Sequence, residues 1–134
     1  MIYFLDTNIC IRILNGSSQN AIHRFEEIDL DEIAIPSIVA AELLYGANKS
    51  IKRDHNLAKF RAFLAPLRLA VLTPAAMEAY GEIRAALERK GTPIGANDYF
   101  IAAIASANGG VLVTNNTREF SRVDALALED WTVI

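Results

Sequence analysis

Short apolar segments rich in β-branched residues alternate along the chain with longer segments in which apolar residues recur every three or four positions. The short segments have the length of buried strands, and the longer ones have the period of amphipathic helices. We predict strands at residues 2–5, 33–35, 69–72, 111–113 and 131–134. We predict helices at about residues 20–28, 38–48, 51–64, 74–90 and 98–108. This alternation favours an α/β fold with a central parallel sheet of about five strands and helices on both faces.

The clearest helix lies in the segment TPAAMEAYGEIRAALERKG. Thr73 can cap its first turn, Pro74 suits the first helical position, and Gly91 can end the helix. Its apolar positions, which follow the spacing of one helical stripe, are Ala76, Tyr80, Ile83 and Leu87.

Length and hydropathy limit the class of protein. The 134 residues are enough for one compact domain, which we expect to span residues 1–134. Although 52% of the residues are hydrophobic, no stretch approaches the roughly 18 apolar residues that suggest a membrane span. The chain begins without the basic and apolar segments of an export signal. We therefore expect a soluble, cytoplasmic protein that does not interact with a membrane.

Charge, cysteine and histidine content exclude several kinds of site. A formal net charge of −3 argues against a protein that holds nucleic acid by bulk positive charge. Cys10, the single cysteine, lies between Ile9 and Ile11 and is predicted to be a packed thiol. His23 and His55 stand in polar helical surroundings, so we expect both on the surface.

Polar side chains follow several of the predicted strands. In parallel α/β sheets, ligands bind outside the carboxyl ends of the strands. The polar residues at these positions are Asp6, Thr7 and Asn8 after the first strand, Glu42 in the helix after the second, Asp98 at the head of an apolar helix, and Thr114, Asn115 and Asn116 after the fourth strand. Ordinary explanations remain open at each place. A helix N-cap would explain Asp6, and a second N-cap would explain Asn97 or Asp98. Glu42 could point from a helix edge into solvent, and Asn116 could be a turn residue.

The shared position of the acids at one end of the sheet favours a site, because independent caps have no reason to lie together. Two carboxylates ~4 Å apart repel by about 4 kcal/mol at an effective dielectric constant near 20. Magnesium and manganese prefer oxygen ligands and would neutralise such a cluster. We therefore predict a divalent-metal site formed by Asp6, Glu42 and Asp98.

The ordered motifs LDTN, AELLYGA, GTPIGANDYFIAA and VTNNTREF resemble those of the PIN-domain ribonucleases, and within them the VapC-type toxins of bacterial toxin and antitoxin pairs. The resemblance runs along nearly the whole chain and implies a PIN-like three-layer sandwich. It places the acids of the family at Asp6, Glu42 and Asp98. Many members carry an aspartate where this sequence has Asn116, and Glu119 could substitute for it if that segment is helical.

The resemblance implies hydrolysis of a phosphodiester bond in RNA with Mg²⁺ or Mn²⁺ as the cofactor. It assigns the metal to Asp6 and Asp98, with Glu42 and Asn116 as further ligands. Glu42 would also position the attacking water or accept its proton. The supporting residues would be Thr7, Asn8, Thr114 and Glu119.

The resemblance also implies partners. They are an RNA substrate, often transfer RNA with initiator transfer RNA as the leading candidate, a second copy of the chain, and a VapB-type antitoxin whose tail enters the active-site groove. Basic residues are needed to bring RNA to an acidic pocket. The basic residues that follow or flank the acids are Arg12, Lys49, Lys52, Arg53, Arg118 and Arg122.

Two other functions fit the same residues. A phosphatase of the haloacid-dehalogenase type would use Asp6 as a covalent nucleophile, but that family needs a second aspartate where this sequence has Asn8. A non-catalytic module that binds RNA or a protein partner through the same groove would account for Asn116.

Overall fold

A computed structural model describes all 134 residues. Its strands are β1 (Tyr3–Leu5), β2 (Ile33–Pro36), β3 (Arg68–Ala70), β4 (Val111–Val113) and β5 (Ala127–Glu129). Its helices are α1 (Thr7–Leu14), α2 (Gln19–Glu27), α3 (Ser37–Lys49), α4 (Arg53–Leu64), α5 (Pro74–Arg89), α6 (Ala96–Ala107) and α7 (Thr117–Phe120). A single 3-10 turn, Leu30–Glu32, precedes β2.

The five strands form one sheet in the order β3-β2-β1-β4-β5, and every neighbouring pair is parallel. The predicted α/β fold with a five-stranded parallel sheet is therefore confirmed. Right-handed crossovers place the helices between β1 and β3 on one face of the sheet and those between β3 and β4 on the other. The chain changes direction across the sheet between β1 and β4, and such a reversal opens a crevice for ligands at the carboxyl ends of the strands.

The middle of the sheet is the core of the molecule. Phe4 and Leu5 in β1 and Leu112 and Val113 in β4 are at most 2% exposed. Close packing also fixes the residue before β4, because a Cβ atom on Gly110 would lie 2.3 Å from the Phe4 ring. Glycine is the residue that lets the chain enter β4 at this distance from β1.

The prediction of the fifth strand at residues 131–134 is wrong. The observed strand, β5, lies a few residues earlier and pairs Leu128 with Leu112 of β4. Trp131 is nevertheless 3% exposed, and its ring packs 5.7 Å from that of Tyr3, whereas Val133 and Ile134 are exposed. The apolar character of this segment therefore reflects one buried aromatic anchor and not strand pairing.

The boundaries of the other predicted elements differ from the prediction by no more than two residues, whereas α1 and α7 were not assigned boundaries from the sequence. Helix α5 begins as predicted, since Thr73 caps it by accepting a hydrogen bond from the Ala76 N–H and Pro74 is its first residue. Gly91 follows its end with a φ angle of +73°, which glycine adopts without strain. Strand β3 is Arg68–Ala70 and not residues 69–72, and it lies at the edge of the sheet.

The predictions for Cys10, His23 and His55 agree with the structure. Cys10 is fully buried, and burial raises the pKa of its thiol, so it is an inert packing residue. His23 and His55 are exposed. None of the helices has both the length and the apolar character needed to cross a membrane.

Candidate active site at the carboxyl ends of the strands

Asp6 lies at the junction between β1 and α1. It is 7% exposed and is the N-cap of α1, where its Oδ1 accepts a hydrogen bond of 3.1 Å from the Ile9 N–H. Its Oδ2 accepts a hydrogen bond from Thr114 Oγ1. Burial raises the pKa of the Asp6 carboxyl above its usual value, although both hydrogen bonds act in the opposite direction. Asp6 therefore caps a helix and also faces the candidate site, so the N-cap and the predicted site role are compatible.

Thr114 connects the end of β4 to Asp6. It is completely buried, and its hydroxyl oxygen also accepts a hydrogen bond of 2.9 Å from the backbone N–H of Asn116. Because one hydroxyl group accepts from the loop and donates to the carboxylate, the position of Asn116 is linked to that of Asp6.

Glu42 is in the second turn of α3 and is half-buried. Its Oε2 accepts a hydrogen bond of 3.1 Å from Thr7 Oγ1, and its Oε1 accepts one of 3.1 Å from Asn97 Nδ2. The alternative in which Glu42 points from a helix edge into solvent is therefore wrong. Both contacts come from other segments of the chain, and they turn the carboxylate toward Asp6 and Asp98.

Asp98 lies in the first turn of α6, whose N-cap is Gly95. The alternative that Asn97 or Asp98 caps this helix is therefore wrong, because the helix starts earlier than the sequence suggests. The positive end of the helix dipole favours a carboxylate at this position. Gly95 also leaves room for it, since a Cβ atom there would lie 2.9 Å from Asp98 Oδ2.

The acids act on one another electrostatically. The pKa of Asp98 is raised to about 6, first by burial and then by the negative charges of Glu119, Asp6 and Glu42. Four carboxyl groups from four separate segments therefore share one electrostatic environment. None of the salt bridges in the structure involves Asp6, Glu42, Asp98 or Glu119, so no ion pair compensates the charge of the cluster.

Asn116 and Glu119 form a pair beside Asp98. Asn116 is the N-cap residue of α7, and its Nδ2 donates a hydrogen bond of 2.8 Å to Glu119 Oε2. The segment is helical, which was the condition for Glu119 to approach the site. Since the amide nitrogen of Asn116 is directed to Glu119, its oxygen remains available as a neutral ligand.

These residues surround a small cavity of about 190 Å³. Its lining consists of Asp6, Thr7, Asn8, Glu42, Asp98, Ile101, Asn115, Asn116 and Phe120. The three predicted acids and four of the polar residues that follow the strands thus lie around one space, while Thr114 and Glu119 contact it through Asp6 and Asn116. At the exposed edge, Asn8 Nδ2 donates a hydrogen bond of 3.2 Å to Asn115 Oδ1.

The oxygen donors of the cavity suit a hard divalent cation, but few carboxylates can bind one ion at the same time. As the side chains stand, no three of the His, Cys, Asp and Glu residues are placed to hold one metal ion. Magnesium usually takes one or two carboxylates and completes its shell with water and substrate phosphate. Asp6 and Asp98, with the amide oxygen of Asn116, match that pattern. Asp6 and Glu42 each accept a protein hydrogen bond on both oxygens, so each would bind a cation through a remaining lone pair.

Asn97, Asn115 and Gly95 were not predicted as part of the site. The sequence predicts Asn97 only as an alternative helix cap, and Asn115 only as one of three polar residues after a strand. The proximity of Asn97 to Asp98 in the sequence was the one available indication. Its contact with Glu42 joins positions 55 apart and could not be read from the motif.

The basic residues near the site differ in their availability. Arg122 Nη1 donates a hydrogen bond of 2.9 Å to the Pro93 carbonyl, and Arg53 is bonded to Asn48 and Asp54. Lys49 lies 4.9 Å over the Tyr45 ring. Arg118, two residues after Asn116, is exposed and takes part in no salt bridge. Among these four residues, Arg118 is therefore the cation that remains free for a polyanionic substrate.

Comparison with known proteins identifies the family. Residues 3–126 match the model of the PIN domain. The chain is 44% identical over 132 residues to Ribonuclease VapC2 of Rickettsia felis, covering 98% of both chains. It is 40% identical over 129 residues to the tRNA(fMet)-specific endonuclease VapC of Salmonella typhimurium, covering 96% of this chain and 97% of the relative.

Solved structures agree with the sequence comparison. A chain of the DNA-bound VapBC structure from Salmonella typhimurium superposes with a TM-score of 0.91 at 40% identity, covering 98% of each chain. VapBC2 of Rickettsia felis, bound to a promoter fragment, gives a TM-score of 0.89 at 42% identity, covering 98% of this chain and 99% of the other. These similarities extend over nearly the full length, and the predicted PIN-like sandwich is confirmed. The chain belongs to the VapC family of PIN-domain ribonucleases.

Proposed function

We propose that this chain, acting as one domain over residues 1–134, is a toxin endoribonuclease that hydrolyses phosphodiester bonds in RNA with a bound Mg²⁺ or Mn²⁺ ion. The observation that carries the proposal is the arrangement of Asp6, Glu42 and Asp98 around one cavity at the point where the sheet changes direction. Family membership supplies the reaction class, and the unpaired negative charge of the cluster supports the need for a cation.

The side chains of the cavity divide the chemistry between them. A divalent cation bound here would supply positive charge that stabilises the developing negative charge of the phosphate and makes water more acidic. Asp6 and Asp98 would hold that ion, with the Asn116 amide oxygen as a neutral ligand. Glu42 would orient the attacking water or accept its proton. Thr114 keeps the Asp6 carboxylate directed to the cavity by its hydrogen bond.

Transfer RNA is the proposed substrate class, and initiator transfer RNA is the first candidate within it. The supporting observation is the 40% identity, over nearly the whole length, to a Salmonella typhimurium relative that is named for specificity toward that RNA. Such an RNA is found in the cytoplasm, which is where we propose that the protein acts. Because the chain has a net charge of −3, RNA would be attracted locally by exposed cations such as Arg118.

We also propose two protein partners, a VapB-type antitoxin and a second copy of the chain. The antitoxin is supported by the solved relatives, which are VapBC complexes. The homodimer is supported by Tyr45, which is 64% exposed on α3, and by a neighbouring groove of about 250 Å³. Five of the six residues that line the groove are apolar, and its lining is Ser37, Ile38, Ala41, Leu72, Phe100 and Ile104.

A cleavage assay with purified protein tests the proposed function. Initiator and elongator transfer RNAs are incubated separately with the parent, Asp6→Asn and Asp98→Asn proteins in Mg²⁺, Mn²⁺ or EDTA. We expect cleavage by the parent protein with either metal, and loss of cleavage in EDTA and in both variants. Asp54→Asn, whose side chain is 93% exposed in α4, is the matched control and should cleave like the parent. Unchanged cleavage by Asp6→Asn and Asp98→Asn would contradict the proposal.

A further inference from the structure

Glu42 is held on both of its carboxylate oxygens by neutral donors from two other elements. Thr7, in the first turn of α1, donates to Oε2, and Asn97, in the first turn of α6, donates to Oε1. Both bonds are 3.1 Å long. A carboxylate with a donor on each oxygen cannot rotate about its terminal bond without breaking one of them.

The structure gives the Asn97 side chain no role in the packing or capping of α6. It is exposed, its side chain makes no hydrogen bond other than that to Glu42, and Gly95, not Asn97, is the N-cap of α6. An exposed hydrogen bond between two side chains contributes about 1 kcal/mol or less to stability. The contact is therefore better explained by the orientation it gives to Glu42 than by stability.

The chemical type of the donor is also informative. A lysine or arginine at this position would hold Glu42 and neutralise its charge at the same time. An amide fixes the carboxylate and leaves its full negative charge available to a water molecule or a cation in the cavity. This suits an acid that must be oriented without losing its charge.

We propose that Asn97 is a positioning residue of the active site, which acts through Glu42 by fixing the plane of its carboxylate together with Thr7. The inference rests on the proposed ribonuclease function and adds a residue to its machinery. Asn97 itself does not contact the reacting atoms, so its removal should slow the chemical step and leave the binding of RNA unchanged.

The kinetic test compares Asn97→Ala and Asn97→Asp with the parent protein. We expect Asn97→Ala to lower the single-turnover rate constant by about tenfold with an unchanged RNA concentration dependence. Asn97→Asp has nearly the same shape but cannot donate and repels Glu42, so it should be slower still. Asn108→Ala is the control, because Asn108 is in the same residue class and caps the other end of α6 by donating to the Ile104 carbonyl. Asn108→Ala should cleave at the parent rate.

A double-mutant cycle tests whether the effect passes through Glu42. If it does, Asn97→Ala should cause no further loss in a Glu42→Ala background. Additive losses, or a rate within twofold of the parent for both Asn97 variants, would overturn the proposal. Thermal unfolding curves that superpose on that of the parent would show that the variants remain folded.

A spectroscopic measurement tests the contact without metal or substrate. In a ¹⁵N spectrum, the side-chain amide signals of Asn97 are identified by their absence in Asn97→Ala. They should shift in Glu42→Ala, and those of Asn108 should not. Unmoved Asn97 signals would overturn the inference. Absence of cleavage by the parent protein would instead contradict the proposed function. The amide shift would still report whether Asn97 donates a hydrogen bond to Glu42.

Discussion

Thr114 donates a hydrogen bond from its hydroxyl to Oδ2 of Asp6, although 108 positions separate the two residues in the chain. The bond joins the carboxyl ends of β4 and β1, which are the two strands on either side of the point where the sheet changes direction. A hydrogen bond to a buried carboxylate favours its charged form. Thr114 therefore both orients Asp6 and lowers its affinity for a proton.

Thr114→Val should lower RNA cleavage more than it lowers stability. Valine fills about the same volume but cannot donate, so the Asp6 carboxylate loses its side-chain hydrogen bond and the Asn116 N–H loses its acceptor. We expect about 1–2 kcal/mol less stability toward urea, because a buried carboxylate and a part-buried N–H each lose a partner. Single-turnover cleavage should fall by about tenfold or more. Thr114→Ser retains the hydroxyl, and equal losses in the two variants would argue against a role for the hydrogen bond.

The raised pKa of Asp98 predicts a pH dependence of stability in the metal-free protein. The folded-state pKa is about 6 and the ordinary value is 3.8, so the folded protein binds this proton more tightly than the unfolded chain. Stability is therefore lost as the pH rises from about 4 to about 6, and the full penalty persists above that range.

Asp98→Asn should remove that penalty. We expect the variant to be more stable than the parent by about 1 kcal/mol at pH 7.5 in EDTA, an amount reduced to allow for the partial exposure of Asp98. The difference should shrink toward pH 4. Urea unfolding at several pH values measures it, with Asp124→Asn, whose side chain is 91% exposed, as the control. A less stable Asp98→Asn protein at pH 7.5 would show that the carboxylates do not repel one another.

Gly95→Ala should impair activity with little effect on folding. The backbone at Gly95 has a φ angle of −60°, which any residue adopts, so the substitution causes no backbone strain. Its Cβ atom would lie 2.9 Å from Asp98 Oδ2 and would displace that flexible carboxylate. We expect a several-fold loss of cleavage and an unfolding midpoint close to that of the parent.

Gly81→Ala is the matched control for this substitution. Gly81 is in α5, and an added Cβ there meets no atom within 4 Å, so alanine should stabilise the helix by about 0.5–1 kcal/mol and leave cleavage unchanged. Cleavage at the parent rate by Gly95→Ala would mean that Asp98 does not need its observed position.

Arg118 and Arg122 should differ in their contribution to RNA binding. Arg118 is exposed and unpaired, whereas Arg122 is bonded to the Pro93 carbonyl of the loop that leads into α6. In an Asp6→Asn background, Arg118→Ala should weaken RNA binding and reduce the slope of log affinity against log salt by about 0.7–1. Arg122→Ala should leave the salt slope unchanged. Fluorescence anisotropy at several salt concentrations measures both slopes, and equal slopes for the two variants would contradict this assignment.

The sequence by itself determined the layered α/β architecture and the general place of the site. Strands β1, β2 and β4 are short apolar segments whose length and composition identify them, and Thr73, Pro74 and Gly91 define the ends of α5 through local backbone preferences. Asp6, Glu42 and Asp98 could be grouped because parallel strands bring their carboxyl ends to one edge of the sheet. Local and periodic properties of the chain are enough for these conclusions.

Only the tertiary structure decided which donor meets which acceptor. The contacts of Asp6 with Thr114 and of Glu42 with Asn97 join segments that are distant in the chain, and no local rule encodes them. The position of the fifth strand was also decided by the tertiary structure. Residues 131–134 have the composition of a strand, but Trp131 packs against Tyr3 and residues 127–129 form the strand that pairs with β4. Distances between side chains depend on how the helices pack on the sheet, and that packing is a property of the whole folded chain.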